Sequence, residues 1–374
     1  MLSTFLSYKI ISGDIGKALD RVEKTPAVDR VTDYYLENIG KVKTIEEFLD
    51  DDRLYRYAMK AHGLEDMTYA KAFIRKALEE GISDPDSFAN KLSDKRYAEF
   101  VQTYNFARYG ELATTYNKAQ VEIPKGYFIQ AEAAGLDPQK DQLVQQETRY
   151  FQANITKITS IDGLMKDERL LTYSLAAFGL DAKTEDLDHI RELLEGGTRD
   201  PNAPANKETN KAYAAFVAAL DFEGLGADAT TFSRAQKPAS DKYMRQTLEE
   251  NAGKENEGVR LALYFERKAS SLTSFYQVLS DPALGKVVRT ALALPEEFAN
   301  ADIDRQVKLF DQKLDIEDFK DPEKLQKFLQ RFTALWDVTN PPQIPPSPAL
   351  AILTQSPEFG ISPSLLLSIH SMKF

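Results

Sequence analysis

The sequence predicts an all-α protein: about three tandem multi-helix repeats of roughly 115 residues, the third diverged, with non-repeat segments at both ends. Three observations carry this. A long stretch of the chain matches a later stretch without a gap. Apolar residues recur at helical rather than strand spacing. No period-2 apolar run bounded by turns occurs.

Residues 1–25 come first. Phe5, Leu6, Ile10, Ile11, Ile15 and Leu19 make them an amphipathic segment outside the repeats, suited to dock on a core or on a partner. Repeat one occupies 26–143 and repeat two 144–257. The stretch from Tyr34 aligns with the stretch from Tyr150, a shift of 116. Tyr35 maps to Phe151, Ile39 to Ile155, Val42 to Ile158, Tyr57 to Tyr173, and Gly63-Leu64 to Gly179-Leu180. The shift persists through Asp84-Pro85 and Asp200-Pro201, Asn90 and Asn206, Tyr97 and Tyr213. It even covers the linker, where 113–120 (ATTYNKAQ) matches 229–236 (ATTFSRAQ). A third copy, 258–339, starts its match at Tyr264, and its register slips late. There Leu325, Phe328, Leu329 and Phe332 reproduce the spacing of Tyr97, Phe100, Val101 and Tyr104. Divergence is expected of a terminal copy that caps a stack.

Within a unit, Tyr35, Ile39 and Val42 stand at i, i+4, i+7, one buried helical face. Thr44-Ile-Glu-Glu47 and Ser274-Phe-Tyr-Gln277 fit a capping box, which Gly163 breaks in repeat two. Asp52 and Asp281 are expected N-caps of the next helix. Gly63 and Gly179 are expected to end it with positive φ. Further helices are expected over 67–80, stopped by Gly81, and over 93–109. Residues 340–374 form a stiff Pro-rich linker followed by apolar patches at 349–353 and 361–369. That tail suits either a partner or a clip back onto the chain's own fold.

Composition narrows the function. Against 47 basic residues stand 58 acidic ones, a formal charge of −11, so phosphate backbones repel the chain and nucleic acid is not an expected partner. With no cysteine, disulfides, thiolate nucleophiles and Cys-based zinc sites are impossible. The N-terminus lacks the pattern of a cleavable signal, and no apolar run approaches the roughly 20 residues of a transmembrane helix. The expected location is the cytoplasm, with signal-independent export left open, and no membrane insertion.

Nothing in the sequence carries a recognisable chemistry. No phosphate-cradling Gly-rich motif and no nucleophile elbow occurs. His62 aligns with Phe178, which argues for a packing position. His189 and Glu192 stand one helical turn apart, fit for a metal or a proton. The first repeat has Phe73 and Lys76 there, so a surface pair is preferred. His370 lies in the tail. Asp50-Asp51-Asp52 lacks the spaced ligands of a calcium loop and reads as capping. Asn90 and Asn206 read as turn residues, and Tyr97, Phe100 and Tyr104 as core. No catalytic, cofactor-binding or metal-ligating residue is therefore assigned, and no cofactor is expected. The residues assigned to partner binding are Phe5, Leu6, Ile10 and Ile11 at one end and Leu365, Leu366, Leu367 and Ile369 at the other.

Residues 33–40 (DYYLENIG), 57–66 (YAMKAHGLED) and 69–81 (YAKAFIRKALEEG) resemble the alphaproteobacterial domain of unknown function 1217, and 361–368 (ISPSLLLS) is similar to that family's ending. The family has no established catalytic residues to carry over. Its members are often encoded among flagellar genes, so the resemblance implies a non-enzymatic structural or assembly role at the bacterial flagellum through protein–protein contacts. The alternative is a cytoplasmic helical-repeat scaffold or regulator that binds a protein partner. Absence of cysteine, absence of a cleavable signal and apolar segments at both ends fit the flagellar expectation.

Overall fold

The structure, a computed structural model, describes residues 3–198, 200 and 202–341. Among these residues every regular element is helical. Helices α1 (Thr4–Ser12) and α2 (Ile15–Glu23) lead in. Unit one follows with α3 (Pro26–Ile39), α4 (Ile45–Asp50), α5 (Asp52–Ala61), α6 (Lys71–Glu80), α7 (Phe88–Lys91), α8 (Arg96–Thr103) and α9 (Phe106–Tyr109). After α10 (Lys118–Ala133), unit two repeats the series as α11 (Gln142–Asn154), α12 (Ile161–Lys166), α13 (Glu168–Ala176), α14 (Leu187–Gly196), α15 (Pro204–Lys207), α16 (Lys211–Leu220) and α17 (Phe222–Leu225). After α18 (Lys237–Glu255), unit three comprises α19 (Glu257–Ala269), α20 (Phe275–Ser280), α21 (Pro282–Ala291), α22 (Ile303–Lys313) and α23 (Pro322–Thr339).

Local chemistry explains why the units resemble one another. The residue that starts the third helix of each unit is Asp51, Asp167 or Asp281, whose carboxylate accepts backbone N–H groups of the first turn. This corrects the expectation for Asp52, which lies one residue inside the helix and pairs with Arg56 and Lys71. The same aspartates accept a phenol from the first helix: Tyr34 at 2.7 Å, Tyr150 at 3.1 Å and Tyr264 at 2.5 Å. A guanidinium lies against each of these rings, from Arg53, Arg169 and Arg267. Thus one side chain caps a helix and ties it to its neighbour in all three units.

The capping boxes form at Thr44 and Ser274. Their hydroxyls accept from Glu47 N and Gln277 N, and the Glu47 and Gln277 side chains accept in return from Lys43 N and Thr273 N. In unit two only the forward half survives, from Gly163 N to Ser160 Oγ. Gly63 and Gly179 take φ +67° and +73°, and the next leucine N–H reaches back to Met59 O and Leu175 O. The same closure in unit three, from Leu294 to Arg289, places Ala293 at φ +54°.

Two expected helices are shorter than the periodicity implied. Over 67–80 the chain makes a 3₁₀ turn at Glu65–Met67 and only then α6. Over 93–109, α8 stops at Thr103, because Asn105 turns its side chain onto Arg108 N and starts α9. An Asx cap at this point outcompetes continuation of the helix.

Among the described residues each unit closes a hydrophobic core, a smaller fourth cluster of Val22, Val28, Met244 and Leu248 joins α2 and α3 to α18, and the membership of the cores departs from chain order. Unit one closes around Tyr35, Phe48, Tyr55, Phe100 and Tyr104, and takes in Ala235, Ala239 and Tyr243 from α18 and the segment before it. Unit two closes around Phe151, Leu170 and Phe216 with Ala119, Ile123 and Tyr127 from α10. Equivalent tyrosines stack alike: Tyr243 on Tyr57 at 3.9 Å, Tyr127 on Tyr173 at 4.0 Å. Unit three closes around Phe265, Phe310 and Phe332 and takes in Tyr8, Phe5 and Ile11 of α1. Units one and three have therefore traded their leading helices. α18, which runs into unit three, covers unit one, while α1, which leads toward unit one, is seated on unit three. Helix α1 is thus outside the repeat in sequence yet part of a unit in space, while α2 packs on α18.

Candidate functional site

The residues that the sequence singled out for chemistry are occupied structurally. His62 is buried. Its Nδ1 and Nε2 lie 3.0 Å from Ala58 O and from Thr103 Oγ1. Burial pushes its pKa well below the usual histidine range, Lys242 adds to that, and the Ala58 carbonyl opposes it. His189 is half-buried, with Nε2 at 3.1 Å from Glu208 and Nδ1 at 3.9 Å from Glu192. Both carboxylates belong to unit two, and among the described residues no group of three or more His, Cys, Asp or Glu side chains fit to hold a metal occurs. His370 lies outside the described residues.

Asn90 and Asn206 close equivalent loops. Asn90 Nδ2 donates to Ile82 O and Asp84 O, and Asn206 Nδ2 donates to Thr198 O and Asp200 O. Tyr97, Phe100 and Tyr104 are core.

The partner-binding assignment at the N-terminus divides in two. Phe5 and Ile11 pack inward on unit three beside buried Tyr8. Leu6 and Ile10, one turn apart on the opposite face of α1, remain 45% and 57% exposed. Helix α1 is fastened to α23 by Thr4, whose N–H and Oγ1 both donate to Asp337, and Asn256 donates to Thr4 Oγ1 at 2.7 Å. Beside Asp337, Val338 is 75% exposed. The outward face of α1 thus carries two apolar side chains one turn apart, on a helix that the fold fastens to α23. Leu365, Leu366, Leu367 and Ile369 lie outside the described residues.

Two polar features escaped sequence reasoning. The first is Glu249 on α18, a carboxylate with 2% of its side chain exposed, which accepts from Arg245 and from Arg267. Its partners come from α18 and from the next helix, and helical spacing alone gave no sign of the burial.

The second feature is where the two repeated linkers meet. Asn117 Nδ2 donates to Ala229 O and Phe232 O, Gln120 Nε2 to Thr230 O, and Ser233 Oγ to Thr114 O. Thr114 and Thr230 each donate to the unit they border, at Val42 O and Ile158 O. The linkers repeat because they face each other. From this crossing α10 departs to unit two and α18 to unit one. Beside it lies a cavity of about 160 Å³ whose wall includes Arg108, Lys118, Arg234, Asp221, Tyr109 and Tyr116. The matching ATTYNKAQ and ATTFSRAQ strings were the available signal, since a linker free of packing duty has no reason to repeat.

Among the described residues no helix is long and apolar enough to cross a membrane. The family model described as "Protein of unknown function (DUF1217)" matches residues 61–175 and 177–325. The two matched segments begin at equivalent positions, Ala61 and Ala177, 116 residues apart. The chain is also similar to protein AGR_C_984 from Agrobacterium tumefaciens, known from an X-ray crystal structure. The identity is 35%, over 91% of this chain and 98% of that one, with a TM-score of 0.54. No curated protein matches.

Proposed function

This chain belongs to the DUF1217 family, and we propose that it is a non-enzymatic structural or assembly protein that works through protein–protein contacts at the bacterial flagellum. The observation that supports a contact role is the outward face of α1, where Leu6 and Ile10 stand exposed one turn apart. Isolated exposed leucines are ordinary on proteins, whereas apolar side chains that adjoin on one helix face offer another surface a place to land. Each of the three units closes on its own core, the buried Glu249 network ties α18, which covers unit one, to α19 of unit three, and the Thr4–Asp337 bonds hold α1 on α23 within unit three. Such a body can carry a contact surface without moving parts. The flagellar assignment draws on the family resemblance of 33–40, 57–66 and 69–81.

The test is fractionation of cells into cytoplasm, basal body and hook-filament, with immunodetection of the chain, beside a deletion strain scored for motility. Recovery in flagellar fractions and loss of motility are the expected results. Absence from every flagellar fraction together with normal motility refutes the flagellar reading. A protein partner then found in the cytoplasm would support the scaffold alternative. Leu6→Glu with Ile10→Glu should abolish partner recovery while leaving the circular dichroism spectrum unchanged, because neither side chain enters a core.

A further inference from the structure

We propose that the cavity beside the linker crossing binds a small oxyanion, a carboxylate or phosphate group, held by Lys118, Arg234 and Arg108. Three cations converge on a wall that contributes one carboxylate, Asp221, in a chain whose net charge is −11. Divergence of the two repeats created this imbalance. Lys118 and Arg234 occupy equivalent positions, and so do Asn105 and Asp221. In unit two the pair is closed, Arg234 against Asp221. In unit one the carboxylate is replaced by Asn105, whose oxygen is committed to Arg108 N. Lys118 therefore lacks the direct carboxylate partner that Arg234 has, and donates instead to Ala218 O on α16 at 3.3 Å.

The surroundings fit an anion with a short body. Burial pushes the Lys118 ammonium below the usual lysine range, Asp221 and Glu122 resist that, and Arg234 and Arg108 reinforce it. An arriving anion would relieve that cost. Arg108 is exposed, and its guanidinium sits 5.3 Å from the centre of the Tyr109 ring. Tyr109 is stacked on Tyr116 at 3.8 Å, and Tyr116 is in turn fixed by its phenol donating to Glu122 at 2.6 Å. The two stacked rings give the cavity an aromatic part of its wall, with Arg108 beside it. About 160 Å³ is roughly ten times the volume a single water needs, enough for a compact ligand. The linker crossing itself supplies the back wall, so occupancy would brace the junction from which α10 and α18 diverge.

The test uses the full chain with inorganic phosphate and succinate, each titrated at constant ionic strength made up with sodium chloride. It is read by thermal unfolding and, independently, by isothermal titration calorimetry. A saturable rise in Tm and a one-site isotherm are expected with at least one of the two ions, and the stronger response identifies the headgroup. Lys118→Gln should weaken that binding about tenfold or more, since a charge-assisted hydrogen bond is lost. Asp221→Asn should strengthen it by removing the competing carboxylate, a change of sign that a general loss of structure cannot mimic. The inference is overturned if neither ion binds saturably, if Lys118→Gln binds as the parent does with its circular dichroism intact, or if Asp221→Asn weakens binding while still folded.

Discussion

Removing the Glu249 carboxylate should strike the joint between units one and three. Its oxygens accept from Arg245 Nε at 2.9 Å and from Arg267 Nε and Nη2 at 2.8 and 2.7 Å. Arg245 is anchored further by its bond to Leu263 O. Glu249→Ala leaves two guanidinium groups facing each other with no anion between them. Breaking a fully buried pair in this way costs about 3–5 kcal/mol. The two arginines keep 16% and 29% of their side-chain surface in water, which sets the expectation at the low end, about 3 kcal/mol. Glu249→Leu combined with Arg267→Met removes both charges, so the double variant should lose clearly less than the sum of the singles, a coupling of about 2 kcal/mol. The assay is urea unfolding followed by circular dichroism and by the fluorescence of Trp336, the chain's one tryptophan, which sits in the core of unit three. A loss below about 1 kcal/mol for Glu249→Ala, or additivity within about 0.5 kcal/mol in the cycle, would refute the reasoning.

His62 is held neutral in the folded chain, with its pKa below the usual 6.5, so between those two values the unfolded chain binds the extra proton. Stability should therefore fall by about 1.4 kcal/mol per pH unit below about 6.5. His62→Phe, the residue unit two already uses at Phe178, should flatten that acid limb in urea titrations at pH 5 and 7. Ala293 occupies, at φ +54°, the position held by Gly63 and Gly179. Ala293→Gly should stabilise by about 0.5–1 kcal/mol and Gly63→Ala destabilise by about 1–2 kcal/mol, both read from the shift of the urea midpoint. A Cβ at Gly258 would run into the Trp336 indole. Gly258→Ala should cost about 1–3 kcal/mol and shift the tryptophan emission, and an unchanged spectrum would count against that packing.

The helical class was legible because it rests on local signals. Face periodicity, positive-φ glycines and aspartate caps all repeat with the unit. The slip from Asp52 to Asp51 is also local: three successive aspartates offer the same cap, and only the alignment of Asp51 with Asp167 and Asp281 separates them. The traded helices were not legible. Ala235, Ala239 and Tyr243 look the same in sequence whether they cover unit three or unit one, because helical spacing states which face is buried and not against what. The burial of Glu249 and the cavity at the crossing follow from that trade and were hidden with it. At the N-terminus, the pattern marked Phe5, Leu6, Ile10 and Ile11 together. The fold splits them by angle around α1, two inward and two outward.

The traded helices also fix an order of assembly during synthesis. Unit two is completed by α10, which has left the ribosome before the rest of that unit, so its core can close as soon as α16 emerges. Unit one must wait. Tyr35 donates to Ala235 O, a partner two hundred positions downstream, and Tyr57 needs Tyr243 and Ser240. Closing so long a loop adds entropy to the barrier and leaves the Tyr57 face uncovered in the nascent chain. The middle of the protein is thus free to mature first, and its beginning is finished only when α18 arrives.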